Sequence, residues 1–480
     1  MPSLKALAKD TAIYGLSSIV GRFLNYLLVP LYTHCLPSTS GDYGISTNMY
    51  ALVALMFVVL TFGMETTMFR YANGDAERWA KGREEDFPRM VFSTAFAFVG
   101  TLVLVFMLLL WTGISPISEW LGYTEHPEYL LMMGVVLSLD SLQALPFSYL
   151  RFQKRAVHFA SLKLLFIVLN IALNCIYFLW LGKASVFYIF FVNLLSTTFI
   201  TLFFVPELWH NFCPRLVNMQ LLRSMLSYSW PLLILGIAGI LNQTFDKIAF
   251  LMVGGTPEAL GIYGACVKVA MIMAMITQAF RYAYEPMVFA ASRDKDAKVT
   301  YALGMKYFII FTLLAFLCVV GYMDVLKYLI GADYRDGLRV VPIVMAAEIM
   351  MGIYFNLSFW YKLIDRTIYG AWFSIAGCAV LVAVNVIFIP RYSYMACAWG
   401  GVAGYGTSML LSYIVGQRKN PIDYPLRSIL TYVTLTVVLY GIMAILPTEW
   451  SMWTRIMLNT VLILLFSIRI YIKEIKHKRQ

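Results

Sequence analysis

Charged and amide side chains set inside long apolar runs are the groups through which this chain can do chemistry. Arg22 stands halfway along an apolar run from Ala12 to about Tyr32, and Ser18, Asn25 and Tyr26 share its helical face by their three- and four-residue spacing. Asn242 and Asp246 form an i, i+4 pair in a later run, and Lys268 stands inside the one after it. A charge in the middle of a membrane helix costs at least about 2.5 kcal/mol on the most lenient scale, so each of these groups needs a partner, water or a ligand. The chemistry they offer is recognition of a polar or charged group within an aqueous cleft, and Arg22 and Lys268 are read as cleft positions. Plainer readings hold elsewhere. Lys247 is close enough to the end of its run to snorkel, Arg281 and Glu285 could simply neutralise one another at i, i+4, and Asp140 and Glu348 suit a bond to a neighbouring helix as well as a cleft wall. Asn170 and Asn174 are read as packing residues.

The elements that carry these residues follow from composition. Of 480 residues 60% are apolar and only 13% charged, so lipid rather than water must surround most of the chain. Breaking the apolar runs at charged or Pro/Gly-rich segments predicts about fourteen transmembrane helices, an all-α integral membrane fold. Twelve are expected near residues 12–33, 44–69, 90–113, 129–150, 159–181, 184–206, 228–252, 260–285, 304–330, 337–361, 368–390 and 394–416, and a last pair near 428–447 and 452–472. With the N-terminus inside, 27 Lys and Arg fall in inside segments, 6 in outside loops and 4 within spans, which places both termini in the cytoplasm. The net charge of +11 is thereby explained by topology and an anionic inner leaflet, with no need for nucleic acid. Seven cysteines stand singly and five histidines are scattered, so no metal-type spacing arises.

An internal repeat organises these spans. Pro37, Gly41, Tyr43, Gly44 and Glu65 recur at a constant offset of 220 residues as Pro257, Gly261, Tyr263, Gly264 and Glu285. The stretch from Tyr149 to Arg155 echoes that from Tyr361 to Arg366. Carried across the offset, Arg22 falls on Asn242, Tyr26 on Asp246 and Asn48 on Lys268. Six helices per copy keep both copies in one orientation, with a pseudo-two-fold axis along the membrane normal. The expected domains are an N-terminal lobe over residues 1–210, a C-terminal lobe over 211–420, and two further helices with a basic tail over 421–480.

The hairpin Leu36, Pro37, Gly41, Tyr43, Gly44, the basic end of span four at Arg151 and Arg155, and the segment Asn385, Ile389, Pro390, Tyr392, Ala396 resemble the Wzx-like oligosaccharide flippases. That branch belongs to the multidrug/oligosaccharidyl-lipid/polysaccharide exporter superfamily, which also holds drug extruders and lipid II flippases. Ser393 stands where the family usually has Gly. The resemblance spans the whole chain and implies transport of an undecaprenyl-pyrophosphate-linked oligosaccharide from the cytoplasmic to the outer leaflet of a bacterial inner membrane, for polysaccharide or O-antigen assembly. It implies Arg22 and Lys268 as contacts to a diphosphate or acidic sugar, with Asn25, Asn242 and Asp246 as polar lining. Glu65, Asp140, Asp246 and Glu285 are the candidates for coupling to H+ or Na+. No other cofactor or metal is implied, and the partners would be the lipid-linked substrate, membrane lipids and other polysaccharide-assembly membrane proteins. A drug exporter and a lipid II flippase are the rival transport readings. An enzyme of the same pathway is excluded, because no catalytic motif is present and the longest outer loop, near residues 114–128, is short.

Overall fold

The computed structural model describes the chain from Tyr26 to Lys476, apart from residues 75–78, 80–83, 292–296, 365, 367 and 448. The helices are α1 (Leu28–Cys35), α2 (Asp42–Thr61), α3 (Met64–Ala72), α4 (Phe87–Thr112), α5 (Ile114–Leu121), α6 (Pro127–Phe152), α7 (Ala156–Cys175), α8 (Val186–Asn211), α9 (Met219–Met252) and α10 (Pro257–Ala291). They continue as α11 (Ala297–Gly321), α12 (Val341–Leu357), α13 (Phe359–Leu363), α14 (Ile368–Tyr392), α15 (Tyr394–Lys419), α16 (Leu426–Ile445) and α17 (Met452–Ile470), and no strand occurs among the described residues.

Among the described residues twelve stretches are long and apolar enough to cross a membrane. α15 is 26 residues long but stands outside that set, its apolar content diluted by glycine and serine. Of the span expected over residues 12–33, α1 is described and residues 12–25 lie outside the described residues. This is a multi-pass helical membrane protein. Where one span was expected over 44–69, α2 and α3 form a single stretch, Asp42–Ala72, broken at Phe62 and Gly63. Both take left-handed backbone, with φ 51° and 66°, and a Cβ on Gly63 would lie 3.1 Å from Leu232 of α9.

Two compact units divide the chain at Gly261. In the first, α6 packs between α4 and α8, and α2 runs along α9. Glycine permits that last approach: a Cβ on Gly236 would lie 2.8 Å from Val58, and one on Gly44 only 1.8 Å from the carbonyl oxygen of Pro257. In the second unit α15 packs on α12 and α14 through small residues at four-residue intervals, Gly400, Gly404, Ser408, Ser412 and Gly416. A Cβ on Gly377 of α14 would lie 2.6 Å from the Gly404 carbonyl oxygen and closer still to Ser408 Oγ, so only glycine and serine stand where the two helices meet. The last pair, α16 and α17, packs on α11 and is fastened at both ends. Lys306 Nζ donates to Glu474 at 2.6 Å at one end, and at the other Arg455 reaches Asp324 at 3.2 Å beside Lys327 at 3.0 Å.

Candidate functional site

A polar cavity lies inside the first unit. Asp140, Gln143, Ala144, Phe147 and Arg151 recur at three- and four-residue steps on α6 and so face one side of it. α3 adds Glu65, and α7 adds Phe159, Lys163 and Phe166, around a volume of about 350 Å³. That volume exceeds many times the ~10–15 Å³ that admits one water, and its polar lining suits water or an ion. Two carboxylates and two cations share it.

The contacts among them are long. Arg151 Nη2 lies 3.7 Å from Glu65 Oε2 and donates to Ser148 Oγ at 3.0 Å, while Ser148 Oγ donates to the same Glu65 oxygen at 3.4 Å. Thr197 Oγ1 donates to Asp140 Oδ1 at 3.5 Å, and Lys163 Nζ stands 4.0 Å above the ring centroid of Phe147. Gln143 is held firmly, donating at 2.7 Å to Thr201 Oγ1 and at 3.1 Å to the Thr197 carbonyl. Separations of 3.4 to 3.7 Å leave the charged groups weakly tied. Such groups can exchange a partner for a proton, a cation or an anion without breaking a tight network.

The predicted site residues are placed as follows. Glu65 and Asp140 come together in this cavity. Asn242 is buried on α9 and donates at 3.2 Å to the Ala238 carbonyl. Asp246, one turn further, accepts from Lys247 at 3.1 and 3.2 Å. Lys247 also donates to the Gln243 carbonyl at 3.2 Å, so its ammonium folds back along α9 rather than simply snorkelling. Lys268 is half-buried on α10. Arg22 and Asn25 fall outside the described residues, and of Glu285 only the backbone is described. Asn48, the repeat counterpart of Lys268, is buried as a clip: its Nδ2 donates to the carbonyls of Lys247 at 2.7 Å and Ile248 at 3.3 Å, and its Oδ1 accepts from Tyr123 at 2.8 Å. An amide has donors and an acceptor on one short stem, which suits it to bridging two helices.

Residues 7–292, well over half the chain, match the family model described as polysaccharide biosynthesis protein. The chain belongs to that family. Among solved structures, this polysaccharide biosynthesis protein is similar to the lipid II flippase MurJ in its inward closed conformation, with TM-score 0.72 and 13% identity over 97% of this chain and 99% of the other. It is also similar to the inward-facing conformation of a multidrug resistance MATE family transporter of the MOP superfamily, with TM-score 0.65 and 13% identity over 88% and 99%. At these identities the likeness establishes the fold. No curated protein matches in sequence. The family is described by polysaccharide biosynthesis, and the two solved structures that share the fold are those of a flippase and a transporter.

In the polysaccharide biosynthesis protein the second unit carries a counterpart of the first cavity. It is lined on α10 by Thr277, Phe280, Arg281 and Tyr284, and on α12 and α13 by Gly352, Phe355, Asn356, Phe359 and Lys362. Phe57 of the first cavity corresponds to Thr277 by the offset of the hairpin repeat. Aligning Tyr149 with Tyr361 carries Asp140, Gln143, Ala144 and Phe147 onto Gly352, Phe355, Asn356 and Phe359, all of which line the second site. The echo between spans four and ten was legible in the sequence, but its meaning as paired cavities was not. Lys163 was missed because charge counting assigned it to the inner loop, whereas it stands in the second turn of α7.

Proposed function

We propose that this protein is a flippase of the Wzx-like branch. It carries an undecaprenyl-pyrophosphate-linked oligosaccharide repeat unit from the cytoplasmic to the outer leaflet of a bacterial inner membrane, for polysaccharide or O-antigen assembly, by alternating access. The observation that supports this reading is a cavity of about 350 Å³ with four charged side chains, set among membrane-crossing helices of a polysaccharide biosynthesis family member. A sugar diphosphate cannot pass through hydrocarbon without replacing its lost hydration, so its carrier needs polar surface at membrane depth. In this reading Glu65 and Asp140 hold the coupling proton or Na+, while Arg22, Asn25, Asn242, Asp246 and Lys268 serve the substrate path. The distribution of basic residues supports cytoplasmic termini.

The test is complementation of a deletion strain, following surface glycan and accumulated lipid-linked repeat units, with Glu65→Gln and Asp140→Asn at matched membrane levels. Wild type should restore the glycan, and each variant should slow its appearance at least about tenfold, the effect of one lost charge-assisted contact. The fold likeness to a lipid II flippase favours one second reading. Accumulation of lipid II with unchanged surface glycan would replace the first reading by that one. Altered drug tolerance with both lipids unchanged would replace it by a drug exporter.

A further inference from the structure

The described linings of the two repeat-related cavities differ in charge. Where the first has Asp140 the second has Gly352, and where the first unit has Thr61 the second has Arg281, one turn beyond Thr277. The side chains described around the second site therefore include two cations, Arg281 and Lys362, and no carboxylate. Aromatic faces hold both: Arg281 lies 4.8 Å over the Phe355 ring and Lys362 5.2 Å over that of Phe359.

Thr277 makes an independent case. Thr61, Thr244 and Thr312 each return their hydroxyl to the carbonyl four residues back, the usual arrangement in a membrane helix. Thr277 is 5% exposed, yet its Oγ1 has no hydrogen-bond partner among the described residues. A buried hydroxyl held this way is costly unless a ligand completes it. The space beside it is about 10 Å³, enough for a single water-sized atom. A space of that size takes one oxygen of a larger oxyanion, and Arg281 and Lys362 line the same crevice.

We propose that this crevice binds a phosphate-ester oxyanion, one oxygen accepting from Thr277 Oγ1 and the others facing Arg281 and Lys362. The inference rests on the flippase reading and deepens it, because the substrate of that reading carries a diphosphate. Lys268 lies thirteen residues earlier on the same helix, roughly 20 Å away at 1.5 Å per residue, so α10 presents cationic groups at two depths. An anion captured at Arg281 has a second cationic level to move toward.

Binding is measured with purified full-length protein in detergent, using geranylgeranyl diphosphate, geranylgeraniol, inorganic pyrophosphate and phosphatidylglycerol. Geranylgeranyl diphosphate should bind and the alcohol should not. Arg281→Gln, Lys362→Gln and Thr277→Val should each weaken binding on the order of tenfold, and Thr277→Ser should retain it. Thr277→Val removes an unsatisfied hydroxyl, so its melting temperature should not fall, which separates lost binding from lost folding. Competition by pyrophosphate assigns the site to the diphosphate head; competition by phosphatidylglycerol alone assigns the same oxyanion chemistry to membrane phospholipid. The proposal is overturned if wild type binds no phosphate ester, or if the three variants bind as wild type does. Wild-type binding by Arg281→Gln/Glu285→Gln together would also overturn it, since Arg281 would then serve only to neutralise Glu285. Intact binding in a strain whose surface glycan does not depend on the protein would defeat the flippase reading and leave the site standing.

Discussion

Replacing Gly44 by alanine should pry α2 away from the end of α9 and the start of α10. An added Cβ would sit 1.8 Å from the Pro257 carbonyl oxygen, 2.7 Å from its carbon and 2.9 Å from the Gly261 nitrogen. All three are backbone atoms, so no side chain can swing aside. Restoring an ordinary contact requires a shift of about 1.5 Å, which would stretch the 2.7 Å bond from Asn48 to the Lys247 carbonyl beyond hydrogen-bonding range. Overpacking of this kind costs about 1–3 kcal/mol, and each lost hydrogen bond adds about 1 kcal/mol. A destabilisation of about 3 kcal/mol is therefore expected, equivalent to roughly a hundredfold shift in population. Thermal unfolding in detergent reads the first quantity. Labelling of Ala51→Cys, a buried α2 position, by an impermeant thiol reagent in a background without native cysteines reads the second. Gly239 on α9 is the control, because nothing lies within 4 Å of a Cβ placed there. Gly239→Ala should be neutral or stabilise by up to about 1 kcal/mol through helix propensity. A Gly44→Ala protein that melts with wild type and keeps residue 51 unlabelled would refute the close-approach argument.

Asn48→Leu should cost about 1–3 kcal/mol, because the Tyr123 hydroxyl loses its acceptor, and Tyr123→Phe should recover part of that loss in the double variant; additive losses in unfolding measurements would show that the clip is not a network. Lys306→Met or Glu474→Gln alone should cost about 3–5 kcal/mol, since either leaves a buried member of the 2.6 Å pair uncompensated. Lys306→Met/Glu474→Met together should recover most of that loss, short of the contribution of the Tyr432 hydroxyl that donates to Glu474 at 3.2 Å, and a double variant as unstable as the singles would argue against the pairing. Cysteines at Ser40 and Thr256 should react with an impermeant reagent added from outside and one at Arg215 should not; the reverse pattern would invert the proposed orientation.

Span positions were legible because the bilayer imposes a length and a composition that the sequence must satisfy. The expected runs 129–150 and 368–390 reappear as Pro127–Phe152 and Ile368–Tyr392 for that reason. The break at Phe62 and Gly63 was not legible, since a non-glycine residue at φ 51° leaves no compositional trace and depends on the approach of α9. Side-chain partners were harder still. Periodicity puts Asn48 on a face, but only the fold decides whether that face meets water or the carbonyls of Lys247 and Ile248. Lys163 and Lys306 were both counted with loops because charge near a span end looks like topology; one lines a cavity and the other makes a buried pair with Glu474. Glu474, deep in a basic C-terminal stretch, gave no sign of being 8% exposed.

Packing explains why the repeat keeps its shape while its chemistry diverges. Gly352 occupies the position of Asp140, and a Cβ there would lie 2.3 Å from the Phe308 ring and 2.9 Å from the Thr277 methyl. A carboxylate cannot be accommodated at that point unless α10 and α12 separate, so the close approach that forms the second crevice also excludes the acid found in the first. The same approach turns the methyl of Thr277 toward Gly352 and leaves its hydroxyl without the carbonyl it would otherwise use. In the first unit the equivalent helices stand far enough apart for about 350 Å³ between them, and there the charges balance. Helix spacing, set by whether a residue near the middle of a span has a side chain at all, thus decides whether a carboxylate can stand at the position of Asp140 in one unit and of Gly352 in the other.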